Sequence, residues 1–378
     1  MEGNLTHFIV QVFGGIFNFG WQNLVMILLG GLLLYLAIVK EYEPLLLLPI
    51  GFGAILINLP LTGLMGEEGI LRALYEAGIA TELFPSLLFI GIGAMTDFGP
   101  LLSNPRILLL GGAGQFGIFM TLLLALGLGF DQLEAICVGI IGACDGPTSI
   151  YVTSKFAPEL LGPISVAAYS YMSLVPIIQP PVMRALTTKK ERSMVMGYSN
   201  LKPVSQTTKI LFPIVVTIFT VLIAPMGAPL MGMLMLGNLL RESGVVSRLV
   251  KSAENELSSL ITLFLGIVIG ATMDGQVFLQ WKTLLIYALG LVAIVGDTAC
   301  GIFMAKLMNL CCKDKINPLI GAAGISAFPM AARVAHKVGS EENPQNYLLM
   351  HAMGVNTGGQ IGSVLAASIM MAVVQAVM

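Results

Sequence analysis

Charge is what this sequence has least of. Only 11% of its 378 residues are Asp, Glu, Lys or Arg, against roughly 25% in an ordinary soluble domain. Hydrophobic residues make up 56%. That balance excludes a soluble globular domain and leaves an integral membrane protein. Histidine is scarce too. His7, His336 and His351 are too few and too scattered for a His-based metal centre. The five cysteines (Cys137, Cys144, Cys300, Cys311 and Cys312) contain no CxxC pair and read as reduced packing residues. There is no GxxxxGK[ST] loop and no dinucleotide fingerprint. Gly111-Gly112-Ala113-Gly114 sits inside an apolar span, where small residues let helices approach. The net charge of −2 says nothing about partners, and no nucleic-acid partner is expected.

What is abundant is apolar sequence cut by glycine and proline. A spanning helix needs about 20 apolar residues. Candidates run over 22–40, 44–60, 79–97, 106–129, 133–155, 158–186, 210–225, 226–241, 256–274, 282–311, 315–337 and 345–378. Met1–Val10 lacks the basic start of a secretory signal peptide, and residues 1–20 are expected to form a short interfacial helix. A polar stretch, 187–209, carries Lys189, Lys190, Arg192, Lys202 and Lys209. The positive-inside rule puts it in the cytoplasm. It separates two membrane halves, 21–186 and 210–378.

The halves resemble each other in order. Leu83–Ala94 resembles Leu257–Ala271, and each is followed by an aspartate, Asp97 or Asp274. Pro44–Leu59 resembles Pro229–Leu240, and Gly142–Lys155 aligns with Gly324–Lys337 without a gap. The charge bias of corresponding loops is opposite. Loop 61–78 is acidic, whereas its counterpart holds Arg241, Arg248 and Lys251. Loop 130–134 holds Asp131 and Glu134, against Lys313 and Lys315. Opposed bias implies an all-α polytopic protein built from two inverted-topology repeats, with its N-terminus outside. The same count needs one broken or re-entrant hairpin between 131 and 187. Asp145–Pro147 is the expected break, and Ala327-Phe328-Pro329 its partner.

The chemistry gathers at those breaks. In GACDGPTS, Pro147 lacks an amide hydrogen and disfavours helix before it, so upstream carbonyls lose their partners. Inside a bilayer such groups survive only in protein or a wet cavity. With the Asp145 carboxylate and the hydroxyls of Thr148, Ser149, Thr153 and Ser154, they make ligands for a small hard cation. The second half offers Asn317-Pro318, Gly321–Ser326 and Asn356-Thr357-Gly358-Gly359-Gln360, with Ser363 after it. Ser363 and Thr357 read equally well as helix-packing residues. An oxygen-only set suits Na⁺ rather than a transition metal. Tyr171 can bind a cation or relay a proton, or sit at the interface. Asp297 lies deep in 282–311. Lys155 and Lys337 can snorkel or hold an anion, and Lys155 can pair with Asp145 for structure alone.

The block DGPTSIYVTSKFAPELLGPISVAAYSYMSLVPIIQPPVMRAL, with GIGAMTDFGPLLSNPR, NPLIGAAGISAFPMAAR and HAMGVNTGGQIGS, resembles the β subunits of the sodium-pumping biotin-dependent decarboxylases. These serve oxaloacetate, methylmalonyl-CoA or glutaconyl-CoA. The resemblance covers most of the chain. It implies an essential aspartate at Asp145, a functional tyrosine at Tyr171, an Asn-x₃-Gly-x₄-Ser-x₆-Arg set at Asn317, Gly321, Ser326 and Arg333, and a sodium-site asparagine at Asn356. It further implies decarboxylation of carboxybiotin with proton uptake and outward Na⁺ transport. Arg333 or Lys155 is expected to attract the carboxylate. The implied partners are a carboxyltransferase α subunit, a biotin carrier presenting carboxybiotin, and a small single-span γ/δ-type subunit. An oligomer in the lipid of the bacterial inner membrane is expected. A secondary Na⁺ antiporter or organic-anion symporter fits the residue pattern alone equally well.

Overall fold

The computed structural model describes residues 14–196, 203–312, 315–327 and 329–377. Most of the expected interfacial helix at 1–20, together with Lys202, Lys313 and Phe328, lies outside them. Among the described residues every regular element is helical. Seven helices are long and apolar enough to cross a bilayer, and a bent pair, Ile70–Ala80 with Leu83–Met95 at 59°, makes up to eight.

The helices that position the site are α1 (Trp21–Val39), α2 (Pro44–Ile57), α3 (Leu83–Met95), α4 (Leu108–Ala113), α5 (Phe116–Gly127), α6 (Gln132–Gly139), α7 (Gly146–Phe156), α8 (Leu161–Leu186), α9 (Gln206–Ile223), α10 (Ala228–Ser243), α11 (Ser258–Ala271), α12 (Trp281–Cys311), α13 (Met330–Glu342) and α14 (Leu349–Val377). The span expected at 106–129 is present as Pro105–Gly127, with its helical pattern interrupted at Gly114-Gln115, between α4 and α5.

Two pairs of helices cross through glycines. α2 packs on α11, and α3 packs on α10. A Cβ at Gly53 would lie 2.5 Å from the Ile267 carbonyl oxygen, and one at Gly270 would lie 2.3 Å from that of Ile50. In the other pair, Gly93 meets the Leu234 carbonyl and Gly237 that of Ile90. The clamps are reciprocal as well. Asn58 donates to the Met273 carbonyl at 2.7 Å. Asn238 donates to the Thr96 carbonyl at 2.9 Å. Each carbonyl immediately precedes the aspartate that closes its span. The helices that resemble each other in sequence thus exchange equivalent partners.

Polar contacts sort the loops into two ends. At one end, Lys155 pairs with Glu82 at 3.2 Å and Lys282 with Glu134 at 2.5 Å. Gly162 abuts Thr272 there, and Asn58 accepts from the Gly275 amide. At the other end, Arg184 pairs with Glu341, Arg192 with Glu342 and Lys306 with Glu191. The Asn317 amide donates there to the carbonyls of Arg192 and Met194. Glu134 and Lys155 therefore share an end, so α6 and α7 form a hairpin that enters and leaves on one side. Asn317 and Glu342 share the opposite end, so Pro318–Gly324 and α13 form a second hairpin from the other side.

The sequence explains both breaks. Ile140–Ala143 tightens to a 3₁₀ turn, and Cys144 takes a left-handed conformation at φ 54°. Asp145 is extended and caps α7, with Pro147 in its first turn. Asp-Gly-Pro is thus a helix start placed at depth. In the second hairpin Asn317 caps the 3₁₀ stretch by accepting from the Leu319 amide at 3.0 Å. Ile325 is then extended.

The glycine crossings yield a stability prediction. A Cβ at Gly93 would stand 1.9 Å from the Leu234 carbonyl oxygen, while one at Gly112 meets nothing within 4 Å. Gly93→Leu forces backbones apart and is expected to cost about 1–3 kcal/mol or more. In detergent this appears as a melting midpoint lower by several degrees. Gly112→Ala, in a helix, is expected to hold or raise the midpoint.

Candidate functional site

The hairpin tips touch: the Ser326 amide donates to the Ala143 carbonyl at 3.0 Å. α14 runs beside this contact and presents Asn356, Gln360 and Ser363, spaced four and three apart and so on one helical face. Asn356 Nδ2 donates to the carbonyls of Ala323 at 3.1 Å and Ile325 at 2.7 Å. Gln360 Nε2 donates to the Ser326 carbonyl at 3.1 Å. Ser326 Oγ donates to the Gly359 carbonyl at 2.8 Å. Gln115, at the break between α4 and α5, donates to the carbonyls of Gly324 at 3.0 Å and Gly359 at 3.2 Å. Three amide side chains thus satisfy the unwound backbone of the second hairpin. A bilayer offers no water for that purpose.

Asp145 lies within this frame, 3% exposed. Its Oδ2 accepts from Thr148 Oγ1 at 2.7 Å and from Ser363 Oγ at 3.2 Å. Lys155 does not reach it, being paired with Glu82. Among the described residues no cationic side chain forms an ion pair with Asp145. A buried carboxylate without a cationic partner is costly, and a bound cation or a proton relieves it. The amide groups spend their N–H donors on backbone, which leaves Asn356 Oδ1, Gln360 Oε1 and Gln115 Oε1 buried without a hydrogen-bond partner. A carboxylate, hydroxyls and neutral carbonyl oxygens are ligands for a hard cation. No three His, Cys, Asp or Glu side chains come together among the described residues.

Of the residues singled out in the sequence, the structure brings Asp145, Thr148, Ser326, Asn356, Gln360 and Ser363 into one frame. The others lie elsewhere in their contacts. Tyr171 donates to the Tyr287 carbonyl and ties α8 to α12. It is Tyr169 whose ring covers Gly146. Asn317 spends its amide on Arg192, Met194 and Leu319 at the hairpin entrance. Gly321 lets that hairpin approach Gly301 of α12, where a Cβ would be 2.1 Å from a carbonyl oxygen. Arg333 is exposed on α13. Its charge acts on Glu43, whose carboxyl is raised by burial and pulled back by Arg333.

Gln115 was not selected from sequence, whereas Gln360 and Ser363 were named there with Asn356 and join the frame. Gln360 and Ser363 share helical spacing with Asn356, which groups the three on one face. Gln115 is a lone amide in an apolar span, a usable signal. Asp297, 0% exposed, accepts from the Gly117 amide and caps the start of α5.

The architecture is that of a polytopic membrane protein with interrupted helices converging on a buried acid, a form used to bind and move ions. Comparison narrows it. A family model described as the Na⁺-transporting oxaloacetate decarboxylase beta subunit matches residues 22–374, and the chain belongs to that family. It is 54% identical over 360 residues to the glutaconyl-CoA decarboxylase subunit beta of Acidaminococcus fermentans, covering 95% of each chain. It is 55% identical over 358 residues to the methylmalonyl-CoA decarboxylase subunit beta of Veillonella parvula, again covering 95% of each. Against the oxaloacetate decarboxylase beta chain 2 of Salmonella typhi it is 48% identical over 418 residues, covering 94% of this chain and 96% of the relative.

Ser363→Ala removes a hydroxyl from the Asp145 carboxylate. Hydrogen bonds to charged groups contribute about 1.5–3 kcal/mol, so half-saturation of activity by Na⁺ should move upward by about tenfold to a hundredfold. Lys155→Met breaks only a partly exposed ion pair, worth about 0–1 kcal/mol. Its Na⁺ dependence should match wild type. Na⁺ titrations of decarboxylation in the assembled complex check both.

Proposed function

We propose that this chain decarboxylates carboxybiotin and couples that step to outward Na⁺ transport. The observation that carries the reading is Asp145. It is a buried carboxylate at the contact of two hairpins, without an ion-paired cation among the described residues, in a frame whose amide oxygens lack hydrogen-bond partners. Na⁺ is the cargo. Asp145, Ser326, Asn356, Gln360 and Ser363 are its ligands. Tyr171, Asn317 and Gly321 act one step away, by holding α8, the linker and the second hairpin in register.

The chemistry at the substrate is simple. The N–CO₂⁻ bond of carboxybiotin breaks, its electron pair stays on the ureido nitrogen, and that nitrogen takes one proton as CO₂ leaves. A proton and Na⁺ each relieve the buried Asp145 charge, so they compete for it. Na⁺ release and proton uptake are therefore linked, provided the site faces each side in turn with different affinity. Two halves of inverted topology provide such states. The reciprocal helix crossings and the hairpins from opposite ends support that reading. Lys189, Lys190 and Arg192 orient the linker end inward, which puts the N-terminus outside. Arg333, exposed on α13 and acting on Glu43, attracts the anionic substrate. Lys155 belongs to the opposite end.

The complex includes a carboxyltransferase α subunit, a biotin carrier and a small single-span γ/δ-type subunit, as the family's multi-subunit organisation supports. It sits in the inner membrane. We read its acid as a CoA ester. The relatives named for CoA-ester decarboxylases reach 54% and 55% identity, against 48% for an oxaloacetate type. Their alignments are also shorter, 360 and 358 columns against 418.

Reconstituted complexes test the reading. With Asp145→Asn, transfer of CO₂ onto biotin should proceed, while Na⁺-dependent release and ²²Na⁺ uptake fall at least a hundredfold. Uptake near the wild-type rate would refute it.

A further inference from the structure

A cleft of about 920 Å³ opens at the linker end, away from Asp145. Its walls come from Asn104–Ile107, from linker residues on both sides of 197–202, from the end of α12 and from Lys315-Ile316. Its floor includes His351, in the first turn of α14. Among the described residues, the lining holds Arg106 and Lys315 and no Asp or Glu. Both cations are exposed, and neither has an ion-pair partner among the described residues. Leu102, Met196, Met308 and Ile316 supply apolar surface, and Asn104 and Asn309 supply amides.

We propose that this cleft receives the carboxylated ureido ring of the carrier's biotin, with Arg106 and Lys315 on the N-carboxylate. The inference rests on the decarboxylase reading above and adds where its substrate binds. The chemistry of the lining matches the occupant. An N-carboxylate calls for fixed cations. A fused, largely apolar bicycle calls for aliphatic and thioether walls. The volume falls within the usual range for small-molecule sites, about 300–1,000 Å³. Exposed cations on a cleft wall also raise the local concentration of an anion.

The position supplies a route to the Na⁺ site. His351 precedes Asn356 by five residues, so helical rise puts the floor about 7.5 Å along α14 from the first amide of the site. The wall is mechanically joined to the second hairpin. Asn309 clamps Ile316 through both its backbone groups, at 2.7 and 2.8 Å. The next residue, Asn317, holds the Arg192 and Met194 carbonyls. An occupant touching Met196 and Ile316 therefore bears on the hairpin that ends at Ser326.

Cys312 lines the cleft and gives a direct readout. The test uses the purified complex carrying Cys311→Ser, with its biotin carboxylated by ¹⁴C-labelled substrate in Na⁺-free buffer. Maleimide labelling of Cys312 is then followed by mass spectrometry. Carboxylation should slow labelling at least fivefold, avidin should restore it, and Arg106→Gln with Lys315→Gln should remove the protection. The double variant should also retain ¹⁴C on its carrier after Na⁺ is added. Unchanged Cys312 labelling in a complex whose ¹⁴C is discharged by Na⁺ overturns the cleft assignment alone. Failure of Na⁺ to discharge the label overturns the decarboxylase reading and the cleft with it. Protection by inorganic phosphate or anionic-lipid vesicles, with none from carboxylated carrier, assigns the cleft to phosphate and likewise overturns the proposal.

Discussion

A backbone that stops being helical inside a bilayer must find every hydrogen bond within the protein. Much of this structure answers that requirement. Two hairpins break at Cys144-Asp145 and at Gly324–Ala327, and each tip exposes carbonyls that no helix uses. The Ser326 amide and the side chains of Gln115, Asn356 and Gln360 absorb them. The same amides leave their own oxygens buried without hydrogen-bond partners. In the reading proposed above, the solution to a structural problem is also a set of cation ligands.

That arrangement demands a firm surround. α2 with α11 and α3 with α10 meet through glycines at backbone distance, and Asn58 and Asn238 clamp the ends of the crossings. Close packing of small residues is what holds membrane helices together when no hydrophobic effect distinguishes neighbour from lipid. At the linker end Arg192 lies under α13, bound to Glu342 and to the Thr187 carbonyl. The linker is therefore part of the packed structure there, and Asn317 reads its position directly.

The breaks were legible because proline, glycine and a capping acid act locally. Asp-Gly-Pro starts α7, and Asn-Pro starts the second hairpin, as their residue chemistry requires. The resemblance between halves showed which breaks belong together. What stayed hidden was the partner set. Ser363 reaches Asp145 across 218 positions and Gln115 reaches Gly324 across 209, and no local pattern encodes such distances. Tyr171 illustrates the limit differently. It and Tyr169 are two residues apart on α8, so they face apart, and only packing shows that Tyr169 covers Gly146. The interruption at Gln115 was missed because Gly111, Gly112 and Gly114 read as small residues for helix packing.

The central claim is that Asp145 and oxygens from both hairpins hold one Na⁺ in competition with a proton. Equilibrium ²²Na⁺ binding to the purified subunit across a pH series tests it most directly. The account predicts binding that weakens up to tenfold per pH unit in acid and is absent in Asp145→Asn at every pH. PH-independent binding, or binding that survives in that variant, would contradict it.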